Sequence, residues 1–254
     1  MVVILAAIQA RMGSSRFPGK VLAPLGGSCA LDIIYRKLKS ITGLLDEVAV
    51  ATSESQEDDQ LISHLTRNSF KFFRGPESDV LTRFLLLGRQ FNADHIVRVT
   101  ADCPMLDVQL VSETIQVHLS ERNDYTAVCA GAGTKMIKDK AFPNGMDCEI
   151  FSFSVLESIS AECTDEALRE HVTPGIWLRP QVYKCRTIAS PADYSEYRFT
   201  LDTPADLKFL SEFFDLAGID AEKMSVYESI SLIDGNQRLK DLMPKNPAET
   251  YWKD

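Results

Sequence analysis

Apolar residues fall in two spacings along this chain: short continuous runs, and stripes that recur every three to four positions. Residues 2–8 form an unbroken apolar run that opens into a polar, glycine-containing loop, the pattern of a strand buried on both faces of a parallel sheet. Residues 31–41 then read as a helix, with Leu31, Ile34, Tyr35 and Leu38 on one face and Arg36, Lys37 and Lys39 on the other. The same reasoning predicts strands over 47–51, 70–73 and 95–100, and helices over 57–67, 80–91 and 108–119. Leu61, Ile62 and Leu65 form the inward face of the second helix. Strand and helix alternate with short connections, so the expected fold is α/β, a mostly parallel central sheet between two helical layers.

The pattern changes after the fourth strand. Residues 125–130 and 146–153 read as strands, and a Gly/Lys-rich stretch joins them where a helix would be expected. This predicts a sheet extension or a small inserted β arm over 125–153 within a single domain spanning 1–254. Helices are expected over 154–160 and 165–177, strands over 182–188 and 198–201, and a helix over 203–217 opened by Pro204. The polar tail beyond residue 220 fits one or two short helices.

Composition narrows the class. With 45% hydrophobic and 25% charged residues, the chain of 254 is that of an ordinary globular protein. Lys+Arg 27 against Asp+Glu 36 gives 27 − 36 = −9, which argues against nucleic-acid backbone binding. Six scattered cysteines without a CxxC pair read as unpaired thiols in a reducing cytosol. No apolar run approaches the roughly 20 residues of a membrane span. The expectation is a cytoplasmic, soluble protein with neither nucleic acid nor membrane as partner.

In that acidic background, residues 9–20 (QARMGSSRFPGK) bring Arg11, Arg16 and Lys20 close together straight after the first strand. Gly13, Ser14 and Ser15 are small enough for backbone amides to approach a phosphate. A P-loop is excluded: five residues, not four, separate Gly13 from Gly19, and Val21 stands where its hydroxyl would be. A surface loop with solvated charges remains the competing reading of the loop alone. Asp102 and Asp202 each follow a predicted strand, with proline two positions later. Hard carboxylates at strand ends suit Mg²⁺, and an Asx turn or helix N-cap accounts for either one taken singly. Met12 and Cys103 read as packing residues.

The stretch AAIQARMGSSRFPGKVL resembles the signature of the sugar-activating cytidylyltransferases: the acylneuraminate and 3-deoxy-manno-octulosonate enzymes, and most closely the spore coat polysaccharide biosynthesis protein F type. SDVLTRF, VRVTADCP, NGMDCEIFSFSVLE, REHVTP and RFTLDTPADL agree in order, so the likeness covers roughly residues 2–217. It implies a three-layer α/β/α nucleotidyltransferase fold of Rossmann-like type, and transfer of CMP from CTP to a sugar, in particular a 2-keto-3-deoxy sugar acid, for polysaccharide biosynthesis. It implies that Asp102 and Asp202 bind the catalytic Mg²⁺, and that Arg11, Arg16 and Lys20 hold the phosphates. The base would lie over Ile8, Gln9 and Ala10, with Thr52, Ser53 and Thr100 nearby. Asp147, Glu149, Arg169 and His171 would face the sugar, with Arg169 on a sugar carboxylate; a structural histidine, or acids facing solvent or an interface, are the alternatives. A homodimer through the 125–153 arm is expected. A metal-dependent glycosyltransferase and a non-catalytic nucleotide-binding homologue remain as rival functions.

Overall fold

The computed structural model describes residues 2–130 and 140–246. The central strand β1 (Ile4–Gln9) is buried on both faces: Ile4, Ala6 and Ile8 pack into one core, Leu5 and Ala7 into the other. β4 (Glu47–Ser53) splits its residues the same way, with Val48 and Val50 on one side and Ala49 and Ala51 on the other. Continuous apolar runs follow directly from two covered faces.

Two short strands, β2 (Pro24–Leu25) and β3 (Ser28–Cys29), make a separate hairpin. The main sheet has seven strands in the order β5 (Phe72–Gly75), β4, β1, β6 (His95–Thr100), β8 (Glu149–Ser152), β7 (Tyr125–Val128), β9 (Cys185–Ile188). The pairs β5–β4, β4–β1, β1–β6 and β7–β9 are parallel, and β8 runs antiparallel to both β6 and β7. Helices α1 (Ala30–Lys39), α2 (Asp59–Arg67), α4 (Val108–Glu121), α8 (Pro204–Ala217), α9 (Val226–Asp234) and α10 (Gln237–Leu242) cover one face. The other is covered by α3 (Val80–Gln90), α5 (Phe153–Glu162) and α7 (Pro174–Trp177), with α6 (Glu166–His171) leading into α7. The three-layer α/β/α fold with a mostly parallel sheet is as expected. The chain leaves β1 for β4 on one side and later returns to β6 on the other, so a crevice opens at the carboxyl end of β1.

Four expectations need correction. The 125–153 segment extends the sheet and is not a separate arm: its strands β7 and β8 lie inside the main sheet, while residues 131–139 between them lie outside the described residues. Residues 198–201 do not form a strand: Arg198 makes one isolated bridge to Asn144, and Leu201 donates its amide to Asp102 O at 2.7 Å. The segment threads between two loops, so no single neighbour offers it a ladder. The helix expected over 165–177 is broken into α6 and α7 at Val172, which has φ +70° and ψ −63°. Thr173 N donates to His171 O at 2.9 Å, closing a strained γ-turn on a buried β-branched residue. The strand expected over 70–73 begins two residues later.

Asp206 organises the loop before α8. Its carboxylate is buried and accepts from Arg198 Nε at 2.7 Å, Asp202 N at 2.9 Å and Thr203 N at 2.7 Å. Thr203 caps the helix in a reciprocal box with Asp206, so Asp202 is left free of any capping role. Replacing Asp206 with Ala strands a buried guanidinium and removes the cap, and is expected to cost about 3–5 kcal/mol in urea unfolding. A loss below about 1 kcal/mol, the range of an exposed pair, would contradict this reading.

Candidate functional site

Three loops at the carboxyl edge of the sheet are laced together by backbone hydrogen bonds. Asp102 O accepts from Leu201 N, Asn144 O accepts from Phe199 N at 2.7 Å, and Asn144 N donates to Tyr197 O at 3.0 Å. Gly145, at φ +101°, presses against Phe199 and Thr200, where an added Cβ would meet Phe199 C at 2.7 Å. Only glycine allows that approach.

This lacing brings Asp102 and Asp202 together, though 100 positions separate them in the chain. Lys20, in the 3₁₀ turn Lys20–Leu22, lies between them with Nζ 2.5 Å from Asp102 Oδ2 and 2.8 Å from Asp202 Oδ1. Arg16 reaches Asp202 Oδ1 at 3.0 Å, and Arg198 reaches Asp202 Oδ2 at 3.1 Å. Burial disfavours the Lys20 charge, but the two carboxylates outweigh it and hold the ammonium above its usual range. Asp202 is pushed up by burial and brought below the carboxylate range by Lys20, Arg16 and Arg198.

A cavity of about 400 Å³ opens beside this cluster. Its walls include Arg16, Thr100, Asp102 and Asp202, and also Asp147, Glu149 and His171. Asp147 accepts one hydrogen bond from Gly145 N at 3.2 Å. Burial, with the charges of Glu149 and Asp102 adding to it, raises its carboxyl to about 6. Glu149 is tied down by Arg98 at 2.5 Å, Tyr125 Oη at 2.5 Å and Thr173 Oγ1 at 2.8 Å. Arg98 donates from the same guanidinium to Gln9 Oε1, which links the end of β1 to this wall. Burial holds the His171 imidazole below its usual range.

Arg11, Gly13, Ser14 and Ser15 line a second, more open depression together with Met12, Glu57 and Gln60. The expected phosphate loop therefore faces two ways: Arg16 and Lys20 toward the acidic pair, Arg11 and the small residues toward this depression. Ile8 lies fully within the core, and Ala10 extends the β1–β4 ladder through its amide. Thr52 and Ser53 are buried, and their side chains turn to Asp58. Asp58 also accepts from Met12 N at 2.6 Å, so this buried carboxylate anchors the loop to the end of β4.

Arg169 stands apart from the cavity walls. Its guanidinium donates to Asp79 at 2.8 Å, to Thr82 Oγ1 and to the carbonyls of Ser160 and Cys163, clasping α6 to α3. Asp58, Arg98 and Thr173 are additions that the sequence reading missed. Arg98 carried a signal, a lone charge in an otherwise apolar strand, and Asp58 sat unremarked in the acidic run 57–59.

The family profile described as cytidylyltransferase matches residues 5–231. An uncharacterized protein of Methanocaldococcus jannaschii is 32% identical over 98% of this chain and 97% of its own length. The spore coat polysaccharide biosynthesis protein SpsF of Bacillus subtilis is 33% identical over 92% and 95%. A cytidylyltransferase structure from Leptospira borgpetersenii superposes with a TM-score of 0.86 at 28% identity, covering 98% of this chain and all of that one. A CMP:2-keto-3-deoxy-manno-octonic acid synthetase complexed with CTP shares the fold at a TM-score of 0.62 and 16% identity, over 85% of this chain and all of the other. With the profile spanning most of its length, and with two near full-length relatives above 30% identity, this chain belongs to the cytidylyltransferase family.

Proposed function

We propose that the protein transfers CMP from CTP to a sugar hydroxyl and releases pyrophosphate. The observation that carries this is the Lys20–Asp102–Asp202 cluster at the mouth of a cavity large enough for a sugar. The two carboxylates already hold a cation between them, so their oxygens suit a divalent ion such as Mg²⁺. When bound, that ion would neutralise charge on the reacting phosphate. As triphosphate enters, Lys20 and Arg16 can turn from the carboxylates to phosphate oxygens, Arg by forked contacts and Lys as a point charge. Arg11, with the amides of residues 13–15, would take the far phosphates.

Asp147 is the base in this scheme. It accepts the proton of the sugar hydroxyl as the oxygen attacks the α-phosphorus and the bond to the departing pyrophosphate breaks. Most of the rate gain then comes from position and charge. Glu149, fixed by Arg98, Tyr125 and Thr173, shapes the wall beside it. The reaction would serve cytoplasmic polysaccharide biosynthesis, and we infer a homodimer built through the 125–153 region.

A sugar acid is the acceptor suggested by the relatives named 3-deoxy-manno-octulosonate cytidylyltransferase. One observation favours a second reading. Arg169 is committed to Asp79, and the cavity walls carry Asp102, Asp147, Glu149 and Asp202 against Arg16 and Arg98. Such a wall accepts hydrogen bonds more readily than it binds a carboxylate, and so suits a neutral or amino sugar.

Pyrophosphate release with CTP and Mg²⁺ across sugar acids, neutral sugars and amino sugars tests both readings. Release with some sugar class is expected, and the class that turns over selects the acceptor. Turnover of nucleotide sugars alone would make the protein a glycosyltransferase, and no turnover with any donor would favour a regulatory binder.

A base with a carboxyl near 6 is deprotonated, and so active, above that pH. The rate of the wild type should therefore fall as pH drops below about 6. Asp147→Asn should lose roughly 10²-fold or more in kcat, along with this acid limb. A variant that keeps the limb would place the base elsewhere.

A further inference from the structure

A second group of metal-ligating side chains sits away from both cavities, between α1 and α2. Cys29 ends β3 and precedes the first turn of α1, Asp32 lies within that turn, and His64 reaches across from α2. One donor atom from each lies within 4.8 Å of the other two. His64 Nε2 is 2.6 Å from Asp32 Oδ1 and 4.0 Å from Cys29 Sγ. None of the three lines the cavity beside Asp102 and Asp202 or the depression beneath Arg11.

Three polar groups crowd one imidazole nitrogen, His64 Nε2: Asp32 Oδ1, Asn68 Nδ2 and Cys29 Sγ. Asn68 Nδ2 is fixed by donating to His64 O at 2.9 Å, and it also faces His64 Nε2 at 3.2 Å. Asp32 requires a proton on Nε2, and Asn68 requires a lone pair there. A neutral imidazole nitrogen is one or the other. Protonating the ring satisfies Asp32 and still sets Nε2–H against the Asn68 amide. A cation among the three donors would take the Nε2 lone pair and offset the Asp32 charge, replacing one shared proton by three metal–ligand contacts, while Asn68 keeps its carbonyl partner.

We propose that Cys29, Asp32 and His64 bind one divalent cation of borderline softness, Zn²⁺, which ties the β2–β3 hairpin and α1 to α2. Thiolate, imidazole and carboxylate are the three donor types that protein zinc sites use, and they leave a fourth position for water. Typical zinc–ligand bonds of ~2.0–2.3 Å require the histidine–aspartate pair to open and the cysteine–histidine pair to close, each by less than about 1 Å. Asp32 is steadied by Ser28 Oγ, itself held by Arg36, so the carboxylate is oriented from behind. Burial pushes the Cys29 thiol up to about 11 when no cation is bound, against the amides of Asp32 and Leu31, which favour the thiolate. On binding, the sulfur–hydrogen bond is replaced by a sulfur–zinc bond and the proton passes to solvent. Soft sulfur selects this site for Zn²⁺ over the Mg²⁺ suited to the all-oxygen pair at Asp102 and Asp202.

The test uses the full chain, stripped of metal, in an Asp102→Asn/Asp202→Asn background that removes the other divalent site. Titration with Zn²⁺ by calorimetry is expected to give one equivalent bound with micromolar or tighter affinity, and a rise in melting temperature. Co²⁺ in place of Zn²⁺ should produce a sulfur-to-metal charge-transfer band. Cys29→Ser should abolish the band, and His64→Gln should weaken binding at least tenfold, both variants keeping the native circular dichroism spectrum without metal. Zn²⁺ binding unchanged by either substitution, or no thiolate band with Co²⁺, would overturn the proposal. Because no nucleotide is involved, the outcome is independent of the proposed transferase activity.

Discussion

Two carboxylates facing each other at the edge of a sheet repel unless a cation lies between them. In this protein Lys20 supplies that cation, and much of the surrounding architecture serves to bring the three groups to one point. β1 delivers the loop that carries Lys20, and β6 delivers Asp102. Asp202 arrives on a segment that belongs to no strand and is held by Leu201, Arg198 and Asp206. The buried Arg198–Asp206 pair ties that segment to the start of α8, so the orientation of Asp202 is built from behind.

The neighbouring wall follows the same logic. Gln9, Arg98, Glu149, Tyr125 and Thr173 form a chain of hydrogen bonds from the central strand to the γ-turn at Val172. That turn is strained, at a cost of order 1–3 kcal/mol, and such strain is retained where the surrounding structure over-determines it. Its effect is to set His171 and Thr173 on the cavity wall, on either side of a buried Val172.

The layers were legible in the sequence because burial on both faces leaves a continuous apolar run, as in β1 and β4, and a one-sided helix leaves a stripe, as in α2. In α1, by contrast, Lys37 is not on an outer face but buried, its ammonium donating to Leu106 O. The loop and the two aspartates were legible as chemistry, since three cations and two strand-end carboxylates are unusual in a chain of net charge −9. Their convergence was not, because it depends on backbone bonds such as Leu201 N to Asp102 O, which any residue type can make. Arg169 shows the opposite failure. Its motif is intact, but its partner Asp79 lies 90 positions away and turns it from the cavity toward α3. Thr52 and Ser53 were placed near the nucleotide, yet the buried Asp58 that claims their side chains gave no periodic signal.

If the Lys20 ammonium holds the two carboxylates until triphosphate draws it away, then metal and nucleotide must bind together. Mn²⁺ affinity at the Asp102–Asp202 pair, measured by electron paramagnetic resonance with and without CTP, addresses this directly. Weak binding to the free protein is expected, with at least a tenfold gain when CTP is present and a similar gain in nucleotide-free Lys20→Met. Tight binding to the free wild type, indifferent to CTP and to the loss of Asp102 and Asp202, would contradict the account.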